Sequence, residues 1–594
     1  MNKIYRTIII ASAALTAVSC ADAWKEKSNN QWGDEDVWRI SEMAMGVLNT
    51  AYTAMPTRPD SYGSNFLDAA TDNALTNSYG SDVYKLTSGN WSSLSHPLSC
   101  WSKCYTQFQN INLFLEKGLS DEILYDKVDA DQDAAYKKRL FGEAHYLRAY
   151  WGFCLLRQYG GKTESGEALG YPLTLHFVTE EEAREITEFE RNTYQECVDQ
   201  IVSDCETAME NLPVAYSGAD VVLGASNIGL PTALTAAALR SRVLLYAASP
   251  AYQNDNVVTL NGMADFTVVD EEAYSAGWEK AALAADEAIK MTGFGMKFYG
   301  LKSTDLADAG NTTPAEFLSR TFFNSRDLES RHFPPYYWGN ANTVPSQNLV
   351  DAFPMANGYP IAAEESGYDP SDPYSGRDRR FYLNIYYHGA PFGNSGEPLN
   401  VMLDGKDGVN YNQNASVSGY YLAKYLSSNA TMLNPVQPTN SQHYYSEFRR
   451  AEVFLNYAEA SNEAWGPKGK GPGCEYSAYE IVKSVRECSG GITDTRYLDE
   501  VAAAGKDAFR ELIQNERRLE LAFENHRWYD MRRCLLPLAE PAMGVEVALV
   551  DGKLTYTPKV VSERKFDDVR YYYAPLPYDE VVKNPEMVNN LGWK

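Results

Sequence analysis

Cysteine is scarce in this chain: nine residues, thinly spread over 594 positions. That spacing excludes the disulfide framework of small secreted domains. Cys100 and Cys104 stand four apart on a predicted helix, without the His or Cys partners of a zinc site, and read as buried or half-buried thiols. Positive charge is also short. Against 79 Asp and Glu there are 53 Lys and Arg, for a net charge of −26 and a pI of about 4.8. This argues against a nucleic-acid partner, which needs a basic face to displace counterions from phosphates. No apolar run is long enough to span a bilayer and stay there. HExxH, GxSxG and Walker A sequences do not occur, which removes most enzyme classes. A glycosidase, whose two carboxylates lie apart in sequence, survives that test.

What is present is the balance of a folded globular protein, with 44% hydrophobic and 22% charged residues. Aromatics reach 13%, including 42 Tyr and 11 Trp. These side chains are amphipathic and suit half-exposed contact surfaces. The N-terminus, "MNKIYRTIIIASAALTAVSC", has Lys3 and Arg6 before a short apolar core from Ile8 to Val18 and reads as an export signal. Two cleavage readings compete. Ala-Val-Ser-Cys is similar to a lipobox, with Cys20 lipidated as the mature N-terminus, although Ala17 replaces the usual Leu. Ala21-Asp22-Ala23 fits ordinary secretion. The position of Cys20 at the end of the apolar core favours lipidation.

Helical periodicity dominates, and the helices come in pairs. Residues 37–52 pair with 101–118, 142–161 with 193–213, 231–250 with 278–291, and 448–463 with 477–491. Residues 231–250 are framed by a proline at each end. The spacing excludes a regular 34-residue tetratricopeptide array and leaves a divergent one with long insertions. Such pairs need neighbours to bury their faces. Residues 311–439 differ, being dense in Pro, Gly, Asn, Ser and Tyr, as functional loops are. Residues 508–534 then return to a helical pattern. The aromatic, Pro-rich tail is expected to pack over the scaffold in extended form.

Six stretches, in order, carry a resemblance to the SusD/RagB family of surface glycan-binding lipoproteins. They are "EAHYLRAYWGF" followed by "YGG", "PSQNLVDAFPMANGYPI", "RDRRFY", "FRRAEVFLNYAEA", "ERRLELAFENHRWYDMRR" and "YAPLPYDEVVKNPEMVNNLGW". The resemblance implies a mostly α fold, with tetratricopeptide-like helix pairs as a scaffold and a loop-rich ligand-binding face. It implies an outer-membrane lipid anchor, facing outward, and a SusC-like TonB-dependent transporter over which the protein sits as a lid. It implies an oligosaccharide or polysaccharide ligand and calls for no cofactor or metal. The expected organisation is a signal peptide over 1–19, a helical region over 20–310, and a region over 311–594 holding the loops and closing helices.

Candidate site residues follow from sugar chemistry. A pyranose stacks its C–H face on Trp or Tyr and needs amide or carboxylate groups at its edge. Two segments offer both: one with Asp72, Asn73, Tyr79 and Trp91, the other with Tyr336, Tyr337, Trp338 and Asn340. In the family the resemblance points to, ligand residues come from loops at these places. Each aromatic has a plainer reading as loop packing, least so for Trp338 beside Gly339. Glu516, Glu520 and Glu524 recur every four residues with Arg527 next. On one face of a single helix they make an ion-pair network with arginines one turn away. The catalytic alternative, an all-α glycoside hydrolase of the (α/α) barrel type, would put paired carboxylates in a deep cleft. "DADQDAAYKKRL" lacks the Gly and the final acid of a calcium loop, so Asp129 is expected to cap the following helix.

Overall fold

The computed structural model describes residues 37–185, 190–254, 268, 270–293, 300–310, 312–584 and 586–593. Cys20 and the expected export signal over residues 1–19 lie outside the described residues.

Helices α1 (Ser41–Thr53), α2 (Trp101–Lys117), α3 (Ala130–Tyr159), α4 (Tyr194–Asn211), α5 (Ala233–Ala248), α6 (Glu271–Met291), α7 (Arg450–Trp465) and α8 (Ala478–Val485) form the scaffold. All four expected pairs are found packed together, and α2 on α3, α4 on α5 and α6 on α7 join them into one continuous layer. The fold is mostly α. The helix starts follow local chemistry. Asp129 accepts the Asp131 and Gln132 amides at the head of α3, while Thr193 with Glu196 and Ser477 with Glu480 make reciprocal caps. Ala236, Ala237, Ala282 and Ala285 are fully buried where α5 and α6 meet, since small residues let two helix backbones approach.

Helix α7 departs from the expected one-sided face. Every residue from Arg450 to Glu463 is buried, including Glu452, Asn456, Glu459 and Glu463. It lies between α6, α8 and a further helix, α9 (Lys506–Glu520), so no side is left for water. Its acids are therefore paired, as buried charges must be. Glu452 holds Arg242 at 2.5 and 2.7 Å, and Glu459 holds Arg533 at 2.6 and 2.7 Å.

The single helix expected over 508–534 is two. Helix α9 ends at Glu520, and α10 (Arg527–Arg533) begins after a turn in which Phe523 and Asn525 have left-handed φ angles of 60° and 65°. Asp68 fixes this turn by accepting the Phe523 and Asn525 amides at 2.9 and 3.3 Å. Glu524 thus leaves the face shared by Glu516 and Glu520. The acids pair not with arginines of their own helix but across the fold. Glu516 binds Arg380 and Arg486, Glu520 binds Arg449, and Glu524 binds Arg449 and Lys424, at 2.6–3.1 Å.

Strands are short, in two-stranded antiparallel ladders. Strand β1 (Ala74–Thr76) pairs with β3 (Thr343–Pro345), and β2 (Thr321–Ser325) with β4 (Ser441–Tyr445). Strands β5 (Ala542–Val550) and β6 (Lys553–Ser562) form a hairpin turned by Asp551 and Gly552, both at positive φ as a two-residue hairpin loop requires. The tail buries Tyr572, Tyr573, Leu576, Met587 and Leu591 on the scaffold and includes one short helix, Tyr578–Lys583.

Several buried groups titrate far from their ordinary range. Burial and the Arg532 charge hold His96 down at about 3. Burial and the charges of Arg242 and Arg517 hold His526 well below the imidazole range. Burial pulls Asp72, Glu524 and Asp530 upward, but Arg518 and Arg527, Arg449 and Lys424, and Arg517 and Arg533 respectively outweigh it and keep them low. All five have depressed folded-state values. Their stabilisation is present above the unfolded values and is lost as pH falls through the window beneath them. The melting temperature is expected to fall as pH drops below about 6.5, as the histidines of the unfolded chain take up protons, and more steeply below about 4 as its carboxylates do. His96→Asn should flatten the upper part of that slope. A melting temperature unchanged between pH 7 and pH 4 would contradict this assignment.

Candidate functional site

The β1–β3 ladder brings the two sequence-chosen segments together. Its register, Ala74 opposite Pro345 and Thr76 opposite Thr343, sets the loop after β1 beside the loop before β3. The Asn77 amide continues the pairing to the Asn342 carbonyl at 2.9 Å. The Asn77 side chain reaches the Ala415 carbonyl at 3.1 Å and so fastens a third loop, 400–415, to the same rim.

On this rim Trp338 is 47% exposed, Tyr336 47% and Tyr79 63%. Trp338 ends a 3-10 turn, Pro335–Tyr337, and stands in the left-handed region at φ 65°, ψ 18°. A bulky aromatic there is a backbone outlier, strained on the order of 1–3 kcal/mol. The turn is bonded tightly beneath it. The Trp338 amide meets the Pro335 carbonyl at 3.0 Å, and the Ala341 amide meets the Phe333 carbonyl at 3.1 Å. Gly339 is required here, because a Cβ would come within 2.2 Å of the Phe333 carbonyl oxygen. The indole is thus held out from a closely packed base. Tyr79 packs edge-on against Tyr84, with ring centroids 5.2 Å apart. The Asn340 side chain is exposed, and its amide nitrogen donates to the Ser330 carbonyl at 2.9 Å.

The third loop contributes residues that the sequence reading missed. Lys406 lies 4.9 Å over the Tyr336 ring and 5.7 Å from that of Tyr337, a cation–π pair that fixes the outer tyrosine. Tyr411 is among the most exposed aromatics of the protein. Its only signal in the sequence is a lone Tyr in a Gly- and Asn-rich run. Burial pushes the neighbouring Asp407 up to about 6, against the pull of the Asn400 amide and of Lys406.

Four of the sequence-chosen residues stand elsewhere. Asp72 accepts both arms of Arg527 at 2.9 and 2.8 Å and Arg518 at 3.1 Å. Asn73 is fully buried between Asp68 and Arg518, at 2.9 and 2.7 Å. Tyr337 is buried with its ring stacked 4.2 Å from Phe392. The expectation of an exposed Trp91 is corrected: it is 7% exposed, walled by His96, Tyr571 and Trp593 at 4.7, 5.3 and 5.2 Å, with its Nε1 donating to the Leu86 carbonyl at 3.1 Å. The last two rings come from the tail, which closes over it. Asp72, Asn73 and Tyr337 support the loops around the β1–β3 ladder, and Trp91 belongs to the packing under the tail.

The platform is an open surface. The larger cavities lie along the scaffold and tail, one of about 470 Å³ between α2, residues 172–183 and residues 580–587, and one of about 320 Å³ beside Tyr159 and Tyr578. Among the described residues no group of His, Cys, Asp and Glu is arranged to hold a metal ion. Nor is any described helix long and apolar enough to cross a membrane.

Truncating a ring with that enclosure leaves a cavity. Trp91→Ala is expected to cost about 3–5 kcal/mol of stability. A melting temperature within a degree of wild type would return Trp91 to the exposed set.

Comparison with known proteins fits this architecture. Residues 307–593 match the family model described as the SusD family, and residues 23–245 match one described as starch-binding associating with outer membrane. SusD-like protein P38 of Formosa agariphila is 23% identical over 595 residues, covering 97% of this chain and 96% of that protein. SusD-like protein P2 of the same organism is 33% identical over 151 residues, 25% of this chain and 26% of that protein. A SusD-like protein from Bacteroides fragilis superposes with a TM-score of 0.69 at 24% identity, covering 94% of this chain and 99% of that one. A second structure from that species, titled a SusD-like carbohydrate binding protein, gives 0.65 at 20% identity and covers 93% and 99%. With helix pairs, loop face and both family models in agreement, the chain belongs to the SusD/RagB family.

Proposed function

We propose that this chain is a lipoprotein of the outer-membrane surface, anchored through Cys20, that captures an oligosaccharide or polysaccharide on the platform of Tyr79, Tyr336 and Trp338. It passes the ligand to a SusC-like TonB-dependent transporter beneath it and carries out no chemistry itself. The observation that carries this reading is Trp338. A large aromatic is kept in a strained backbone conformation, half exposed, on a turn in which the Tyr337, Trp338, Gly339 and Ala341 amides are bonded. Strain of this kind persists where the surrounding structure over-determines it, and it clusters at ligand sites.

A sugar ring is apolar on its faces and polar at its rim. The exposed indole offers the flat surface, and Asn340 at its side offers an amide to a hydroxyl. Because the turn is rigid before binding, little conformational entropy remains to be lost on capture. Membership in the SusD/RagB family, and the carbohydrate-binding title of a similar structure, support a glycan as the ligand. The carboxylates that a hydrolase reading would recruit, Glu516, Glu520 and Glu524, are buried against arginine and lysine, which supports a structural role for them.

Trp338→Ala is expected to weaken glycan binding by about 10-fold or more, as loss of an anchor residue does, with little change in melting temperature. Isothermal titration with a glycan identified by array screening, beside a melting curve, measures both. Unchanged affinity in Trp338→Ala and in Tyr336→Ala together would move the site elsewhere. For the anchor, Cys20→Ala should release the protein from membranes or block its maturation. Normal abundance of that variant in the outer membrane would refute lipidation at Cys20.

A further inference from the structure

We propose that the cavity between the start of α2 and the end of α3 is an oxyanion site, taking the carboxylate or sulfate group of a small ligand such as a sugar acid. It rests on none of the residues assigned to glycan capture.

The cavity measures about 250 Å³ and is lined by Tyr62, Cys100, Lys103, Trp151, Arg157 and Gln158, among others. That is roughly eight times the share of one water in the liquid, room for a sugar-acid ring. Arg157 is the central observation. Its guanidinium stacks 4.1 Å over the Tyr529 ring and 5.4 Å from that of Phe153. Its Nε is enclosed and has no hydrogen-bond partner, and no ion pair to Arg157 occurs among the described residues. Arg242, Arg449 and Arg533 meet carboxylates, and Arg191, Arg377 and Arg564 are held by backbone carbonyls, whereas Arg157 has neither kind of partner among the described residues beside its stacked rings. A desolvated cation without a counter-charge is costly unless an anion completes it.

Two further features border the same space. Lys103 stands at the mouth, 5.3 Å over the Trp151 ring, with no carboxylate partner among the described residues. The first turn of α2, a 17-residue helix, forms one wall and brings the positive end of the helix dipole, although its Cys100 and Trp101 amides already donate to the Tyr159 hydroxyl at 3.1 and 3.2 Å.

The acids nearby are already engaged. Asp82, at the mouth, is held by Lys85 at 2.9 Å. Glu447, within electrostatic reach of Tyr62, Tyr150 and Cys154, accepts from Arg242 and from the Tyr445 hydroxyl, both at 2.8 Å. The remaining titratable neighbours are neutral near pH 7: burial pushes Tyr62, Tyr150 and Tyr529 up, and Cys154 up to about 12. Cys100 shifts the other way, drawn down by a bond from Cys104 and then by the Arg157 and Lys103 charges. A strongly acidic protein thus holds a locally positive cavity of sugar size.

The test titrates the purified protein with sodium sulfate and, separately, with sodium D-glucuronate, against sodium chloride at matched ionic strength. A saturable rise in melting temperature beyond the chloride control is expected with at least one of them. The same anion should slow iodoacetamide alkylation of Cys100, followed by peptide mass spectrometry, by about 3-fold or more. Arg157→Gln should weaken the anion by about 10-fold or more, as loss of a charged hydrogen-bond partner does. If that variant fails to fold, Lys103→Gln, altered only at the exposed mouth, should still weaken it by about 3-fold. Saturation by sulfate alone assigns a sulfate group, and saturation by glucuronate alone assigns a sugar acid; either upholds the site. No saturable shift beyond chloride, or a shift undiminished in the folded variant, overturns it. Trp338→Ala should leave the response intact, which separates this site from the platform.

Discussion

Everything on the outward face depends on one set of buried charges. Arg449 sits at the head of α7 and meets Glu316 from the loop region, Glu520 from α9 and Glu524 from the turn that follows. Arg380, Arg486 and Lys424 extend the set outward, and Arg517, Asp530, Arg533 and Glu459 extend it back into the scaffold. Desolvating so many charges offsets most of what their attraction returns, so the network is a weak source of net stability. Its force is geometric. Shifting one member leaves others buried and unpaired, which costs several kcal/mol each, so the loops have one arrangement on the helices and not several.

The site inherits that precision through a short chain of contacts. Arg518 and Arg527, on either side of the turn between α9 and α10, clamp Asp72. Asp72 and Asn73 lead directly into β1, whose pairing with β3 fixes where the 333–342 turn lies. The strain at Trp338 is therefore stored by residues far from it in sequence. Two polar residues that sequence chemistry suggests for gripping a ligand are instead the pins beneath the platform. Preorganisation matters more on an open face than in a cleft, since an open face buries less of the ligand and cannot close over it.

Helices were legible because their cause is local. Period, caps and small residues lie within a few positions of each other, as at Asp129 and Ser477. The charged helix was legible in type and wrong in detail for the opposite reason. Nothing between Leu521 and His526 is a proline or glycine, so no local signal marks the break. The break is set by Asp68, more than 450 residues away in sequence. Trp91 and Trp338 show the same limit. Both lie in polar, turn-rich stretches, and one is buried only because Tyr571 and Trp593 arrive from the other end of the chain. Lys406 and Tyr411 went unnoticed because a loop residue gains meaning from what stands opposite it, here Tyr336.

The charge distribution follows from the same division. A net charge of −26 surrounds a core in which many arginines are matched to acids, as Arg242, Arg449 and Arg533 are, and others, such as Arg191, Arg377 and Arg564, to backbone carbonyls. Arg157 is one of a few arginines stacked on aromatic rings without an acid, with Arg532 over Trp528 and Arg377 over Phe381, and among them it lines the cavity beside Lys103. Glu447 lies within electrostatic reach of this region yet is turned to Arg242 and Tyr445. The matched pairs set the shape of the scaffold. Tyr529, on which Arg157 stacks, belongs to α10, the helix that also carries Arg527 and its clamp on Asp72. One short helix therefore positions both the cavity and the underside of the platform, and a ligand group ordering Arg157 would press on the element from which the outward loops take their register.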